Sequence, residues 1–272
     1  MNTRWPAIAV NVALALIAAL TLFPLAWMVS ASLMAPGDAS NYPPPLLPKA
    51  ATLDNYRELF AARGIGRQAL NSLLIALGAT ALSLAFNLTA GYAFAKLRFP
   101  GRERLFRSLL GAMVIPGQVA MMPLFLMLKQ MGLVNSYGGA LVPWLASVFG
   151  IFMVRQYALS IPDDLLEAAR IDGAGEWRIF RQIVLPLLKP IVITLAVLVF
   201  LGAWNDFMWP LIVLTDRDLQ TLPVALAGLS REHVQDTELM MAGSVLTVLP
   251  VLLLFLALHR HYMQGLLAGS VK

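Results

Sequence analysis

The 272-residue sequence has no cysteine. Disulfide scaffolds, cysteine metal sites and thiol catalysis are therefore excluded, and the absence says nothing about compartment. Charge is also scarce: Asp, Glu, Lys and Arg make up 13% of the chain, against about 25% in soluble domains. The dipeptide Gly-Lys never occurs. With no Gly-x4-Gly-Lys-Ser/Thr phosphate loop, the chain has no such route to binding and splitting ATP. Histidine is rare. His233, His259 and His261 fall outside the apolar stretches, and the last two, flanking Arg260, read as interfacial anchors rather than metal ligands. Neither a transmembrane proton relay nor a metal site is expected.

What the chain has is grease. Hydrophobic residues account for 59% of it, and its mean hydropathy is +0.73. A membrane-crossing helix needs about 20 mostly apolar residues. Six stretches qualify, at about 7–30, 69–95, 105–128, 138–154, 187–214 and 240–258. The first is too long for the apolar region of a signal peptide and is read as a retained helix. The expected fold is thus all-α: a polytopic membrane protein of six transmembrane helices, forming one domain over 1–272.

The net charge of +5 reflects where basic residues collect rather than nucleic-acid binding. With the N-terminus inside, the inner segments carry Arg4, Lys96, Arg98, Arg102, Arg104, Arg107, Arg155, Arg170, Arg178, Arg181, Lys189, Arg260 and Lys272. The outer loops carry only Lys49, Arg57, Arg63, Arg67, Lys129, Arg217 and Arg231. This bias places both termini in the cytoplasm. The outer segment 31–68 contains Asn41-Tyr-Pro-Pro-Pro-Leu-Leu-Pro48, which is expected to be extended and exposed. A short helix over 54–59, capped by Thr52 or Asp54, should follow. The second long outer loop, 215–239, is acidic.

One segment is too charged for the bilayer, where a single charge at mid-depth costs a few kcal/mol. It runs Ser160-Ile-Pro-Asp-Asp-Leu-Leu-Glu-Ala-Ala-Arg-Ile-Asp-Gly-Ala-Gly-Glu-Trp-Arg-Ile-Phe-Arg-Gln-Ile-Val-Leu-Pro186. Ser160 and Asp163 have capping-box spacing, and Pro162 suits a first helical turn. Gly173-Ala-Gly175 should end that helix. A second helix is expected over about 176–185, with Pro186 and Pro190 marking the turn into the fifth span. Leu165, Leu166, Ala169, Trp177, Phe180 and Val184 give the pair apolar faces.

Glu167-Ala168-Ala169, three residues, Gly173, nine residues, Ile183, one residue, Leu185-Pro186 resembles the EAA loop of permease subunits in bacterial ATP-binding-cassette importers. A second set of matches covers Asn71-Ser-Leu73, Ala90-Gly-Tyr-Ala-Phe94, Phe99-Pro-Gly101, Trp204-Asn-Asp-Phe207 and the tail from Gln264 to Lys272. Together they are similar to the shorter permease of the maltose-type, MalG-like carbohydrate importers. The resemblance implies a bacterial inner-membrane protein that is not an enzyme. It also implies a second related permease, an ATPase dimer that binds ATP and Mg, an extracytoplasmic solute-binding protein and a sugar substrate. It makes 160–186 a cytoplasmic coupling-helix hairpin. The residues that would serve ATPase coupling are Glu167, Ala168, Ala169, Arg170, Asp172, Gly173, Trp177, Phe180, Ile183, Leu185 and Pro186.

A self-contained secondary transporter is the rival reading. It calls for intramembrane ionisable pairs and inverted repeats, and neither is visible. A membrane enzyme would need clustered catalytic groups at one interface. Polar residues in the spans are few. Asn87 is one, and Gln118 follows a Pro116-Gly117 kink signal. Trp204, Asn205 and Asp206 sit in the outer part of the fifth span. Gln118, Trp204, Asn205 and Asp206 are the candidate substrate-path residues, with interfacial solvation as the alternative for the last three. Gly78, Ala81, Leu82 and Ala85 suggest close helix packing.

Overall fold

The computed structural model describes residues 4–232 and 236–268. The helices in chain order are α1 (Arg4–Ser32), α2 (Asp54–Ala61), α3 (Ile65–Lys96), α4 (Arg102–Ala112), α5 (Gly117–Gln130), α6 (Tyr137–Leu141) and α7 (Val148–Leu159). They continue with α8 (Asp163–Ile171), α9 (Glu176–Ile179), α10 (Leu185–Leu187), α11 (Lys189–Trp204), α12 (Met208–Val213), α13 (Leu222–Glu232) and α14 (Thr237–Ala268). Among the described residues there is no strand.

Among the described residues, three helical segments are long and apolar enough to cross a membrane unbroken: Ile8–Ser32, Ile65–Lys96 and Thr237–Ala257. The expected third, fourth and fifth spans are broken instead. Arg102–Ala112 and Gly117–Gln130 meet at 103°. Pro116 causes this, because proline steers the preceding residue away from helical geometry and brings no N–H of its own. Tyr137–Trp144 and Val148–Leu159 meet at 45°, and the second half restarts where Ser147 Oγ accepts the Gly150 N–H at 2.9 Å. The stretch read as one span over 187–214 is interrupted at 205–207, between α11 and α12. The acidic loop 215–239 contains a helix, α13, and the last helix runs on past 258. His259 and His261 therefore lie within α14, whereas His233 and the end of the tail, 269–272, lie outside the described residues.

The chain divides into two compact units, Met1–Arg67 with Leu222–Leu253, and Gln68–Thr221 with Leu254–Lys272. In the first unit the buried Asn55 amide donates to the carbonyls of Ser32 (2.9 Å) and Met34 (2.8 Å). It thereby satisfies acceptors left open where α1 ends. Thr52 Oγ1 accepts the Asp54 N–H at 3.1 Å, so Thr52 serves the start of α2. The proline-rich strip 41–48 has no regular helix or strand. It is nonetheless tied to α1, through Trp27 Nε1 to Pro45 O at 3.0 Å and Ser30 Oγ to Leu46 O at 2.6 Å.

In the second unit Ile75, Leu128, Ala140, Trp209, Val213 and Leu214 form a buried cluster. Asn71 donates to Asp218 O and Gln220 O, both at 2.9 Å, and accepts from Tyr137 OH at 2.7 Å. Asn87 is also structural. It donates to Ser83 Oγ at 2.7 Å and accepts the Ser147 N–H at 3.0 Å, bracing α3 against the start of α7. Of the small-residue stripe, Gly78 packs on Leu141. Ala81, Leu82 and Ala85 are exposed, because the buried face of α3 passes through Ile75, Ala79, Ser83 and Asn87.

Candidate functional site

The charged segment folds as helix, turn, helix. α8 begins at Asp163, but not through a capping box. Ser160 Oγ donates backwards to Tyr157 O at 2.7 Å, and Pro162 occupies the cap position without a side-chain bond. The acid expected to complete the box instead takes an ion pair. Lys96 Nζ, at the C-terminal end of α3, donates to Asp163 Oδ1 and to Ile161 O, each at 2.6 Å. The helix ends as its glycines require: Gly173 has φ +82°, the left-handed region open to glycine without penalty.

The second helix is not uniform. α9 gives way to a π turn over Phe180–Val184, and then to α10. Pro186 lies just past the turn. It cannot donate to the carbonyl four residues back, so the ladder widens there. The direction then changes by 79° between Glu176–Leu187 and Lys189–Trp204.

Burial separates the residues of this segment. Leu166, Ile179, Phe180 and Val184 are buried, while Ile171 is 86% and Trp177 67% exposed. Ile183 and Leu185 are half-buried, as is Ala169; Glu167, Ala168, Arg170, Asp172 and Pro186 are exposed. Trp177 and Phe180 are in ring contact at 5.5 Å, and Phe180 also touches Tyr92 of α3 at 5.2 Å.

Glu176, the first residue of α9, is the hub of the polar contacts. Arg170 Nε donates to Glu176 Oε1 at 2.7 Å and Arg170 Nη2 to Oε2 at 3.4 Å, while Tyr92 OH donates to Oε2 at 3.0 Å. Arg170 foremost, and Tyr92 with it, hold the Glu176 carboxyl below its ordinary value, against the opposing effect of burial. The Lys96 hydrogen bond does the same for Asp163. Both acids are therefore ionised at neutral pH. A cleft of about 780 Å³ opens here, lined by Lys96, Arg98, Arg102, Glu167, Arg170 and Glu176 among others.

The candidate path residues are not brought together. A second cavity, of about 480 Å³, is lined by Gly117, Ala120, Met121, Leu124, Pro143, Trp144, Gly202, Asp206 and Trp209. Only Asp206 of the four candidates lines it. Trp204 is buried and stacked on Phe200, with ring centres 6.1 Å apart, so it is neither interfacial nor a wall of the cavity. The Asn205 amide donates to Leu201 O at 2.9 Å and closes α11. Gln118 is exposed and does not line the cavity. The cavity instead collects residues beside all three helix breaks: Gly117 after the first, Trp144 before the second and Asp206 within the third.

Sequence reasoning missed Trp144, Tyr92, Lys96 and Glu176. A readable signal existed for Tyr92 and Lys96, which are polar residues four apart at the end of an apolar helix and hence on one face. Nothing local in the sequence marks Trp144, whose role depends on how the broken spans meet.

Residues 87–267 match the model of the family described as binding-protein-dependent transport system inner membrane component. The chain is 37% identical over 265 residues to the arabinooligosaccharides transport system permease protein AraQ of Halalkalibacterium halodurans, covering 96% of this chain and 95% of that one. It is 35% identical over 276 residues to the lactose transport system permease protein LacG of Rhizobium radiobacter, covering 100% and 98%. Its fold is similar to a chain in the crystal structure of a bacterial ABC transporter involved in the import of the acidic polysaccharide alginate. That match has a TM-score of 0.83 and 24% identity, and covers 94% of this chain and 96% of the other. The chain belongs to the family of inner-membrane components of binding-protein-dependent transport systems.

Proposed function

We propose that this chain is a permease subunit of an ATP-driven importer for a sugar or oligosaccharide. Both termini lie in the cytoplasm, and the 160–186 hairpin docks on a separate ATPase dimer, which binds ATP and Mg. A second, related permease completes the membrane unit, and an extracytoplasmic binding protein delivers the solute. The residues in contact with the ATPase lie around Glu167 and Gly173. One observation carries the coupling reading: Ile171 and Trp177 stand largely exposed on a segment too charged to enter lipid. Exposed apolar groups in such a setting mark a protein interface.

The substrate reading is supported by relatives whose names specify arabinooligosaccharides, lactose and melibiose/raffinose/stachyose. Within this subunit the solute path runs past Asp206 and Trp144. Discontinuous helices meeting at one cavity are a recurring way to build a solute site inside a membrane protein. The distinguishing experiment is uptake of labelled oligosaccharides by cells with and without the gene. Uptake should require ATP and survive collapse of the proton gradient by a protonophore. Uptake driven by the gradient alone would favour the secondary-transporter reading and overturn this one.

A further inference from the structure

We propose that Tyr92 and Lys96 latch the 160–186 hairpin to the cytoplasmic end of α3, so that hairpin and helix move as one rigid body during the transport cycle. The inference rests on the coupling reading above and adds the element through which displacement of the hairpin reaches the membrane.

The geometry is a closed frame. Tyr92 and Lys96 lie four residues apart on α3, hence on one face and about 6 Å apart along its axis. Each holds the first residue of a different hairpin helix: Lys96 holds Asp163 of α8, and Tyr92 holds Glu176 of α9. Arg170, in the last turn of α8, closes the third side through Glu176. A single attachment would leave the hairpin free to pivot. Two attachments one turn apart, with the third side fixed, resist both rotation and translation.

The Lys96 corner is the more demanding one. Its side chain is only 4% exposed, although its partner Asp163 is 73% exposed. The ammonium group therefore depends on Ile161 O and Asp163 for its partners, and losing them would leave a largely buried charge poorly paired. The contact of Tyr92 with Phe180 adds apolar packing at the other corner. The acids themselves stay ionised at neutral pH, so the frame holds there.

The cysteine-free background allows a direct test on the complex purified with its ATPase. Spin labels on Phe86→Cys in α3 and Gln182→Cys in the hairpin report their separation, without nucleotide and with ATP plus vanadate. With the latch intact, that distance should stay the same in both states. With Tyr92→Phe and Lys96→Met together, it should shift or broaden by several ångströms when nucleotide binds. A changed distance in the latched protein, or an unchanged one in the unlatched variant, would overturn the proposal.

If the unlatched variant does not assemble, the pair Lys96→Cys and Asp163→Cys, bridged by a short thiol cross-linker, decides the matter. ATP turnover should survive the bridge. A drop of about tenfold, within the usual range of coupling free energies, would mean that the two elements must separate. Either failure with the ATPase still bound leaves the docking role of the hairpin standing. If instead hairpin variants such as Gly173→Val leave both ATPase binding and stimulated ATP turnover untouched, the coupling reading itself is at fault.

Discussion

Gly91 of α3 lies against Val154 of α7 so closely that a Cβ at Gly91 would stand 2.5 Å from Val154 Cγ1 and 3.1 Å from the Arg155 backbone nitrogen. A backbone atom cannot turn aside as a side-chain tip can. Gly91→Ala should therefore lower the thermal midpoint of the detergent-purified protein, with overpacking of this kind costing about 1–3 kcal/mol. Gly111→Ala is the matched control, since nothing lies within 4 Å of a Cβ there, and it should be neutral or slightly stabilising. Equal melting of the two variants would show that this crossing is looser than its geometry.

Much of this architecture is legible before folding. Apolar runs mark the helices because only a continuous greasy surface can replace water with lipid, and α1, α3 and α14 appear where such runs fall. The breaks are partly legible. Pro116-Gly117 signals the bend after α4. Pro210, in the first turn of α12, brings no N–H to the Asp206 carbonyl four residues back, so continuous helix across 205–207 is disfavoured; Trp209 Nε1 then donates to Gly139 O at 3.0 Å. In the charged segment the Gly173 turn follows from glycine alone. The fate of Asp163 does not, because its partner Lys96 is 67 residues away and the local capping rule points to Ser160. The surroundings of Trp204 are not legible for a similar reason: a tryptophan near a span end suits either the path or the interface, and its stacking on Phe200 shows only in the folded chain.

Orientation can be tested by single cysteines and an impermeant thiol reagent in intact cells. Ser40→Cys should label from outside. Arg102→Cys and Glu176→Cys should label only after the membrane is opened. Labelling of Glu176→Cys in sealed cells would reverse the topology and with it the coupling argument.

Asp206 is the charged group among the residues lining the cavity where the broken spans meet. Asp206→Asn should lower the rate of solute transport by about tenfold, the scale of one charged hydrogen bond, while the complex still assembles. Trp144→Ala should also reduce it. Asn205→Ala should change transport little, because that amide is engaged with Leu201 O. Unaltered transport in both Asp206→Asn and Trp144→Ala would remove the cavity from the path.

The central claim is that the 160–186 segment is the coupling element, and Gly173 gives the cleanest access to it. Its φ of +82° with nothing within 4 Å of a built Cβ means that substitution acts through backbone conformation, without a clash. A left-handed residue with a side chain costs about 1–2 kcal/mol, and Asn tolerates it best. Gly173→Asn should therefore behave much like the native protein. Gly173→Val, β-branched and hostile to positive φ, should insert in the membrane yet distort the turn between α8 and α9. The decisive measurement is co-purification of the ATPase with each variant, followed by ATP turnover with and without the substrate-loaded binding protein. The account predicts that Gly173→Val loses either the ATPase or its stimulated turnover, and that Gly173→Asn keeps both. Native assembly and native stimulation in Gly173→Val would contradict it.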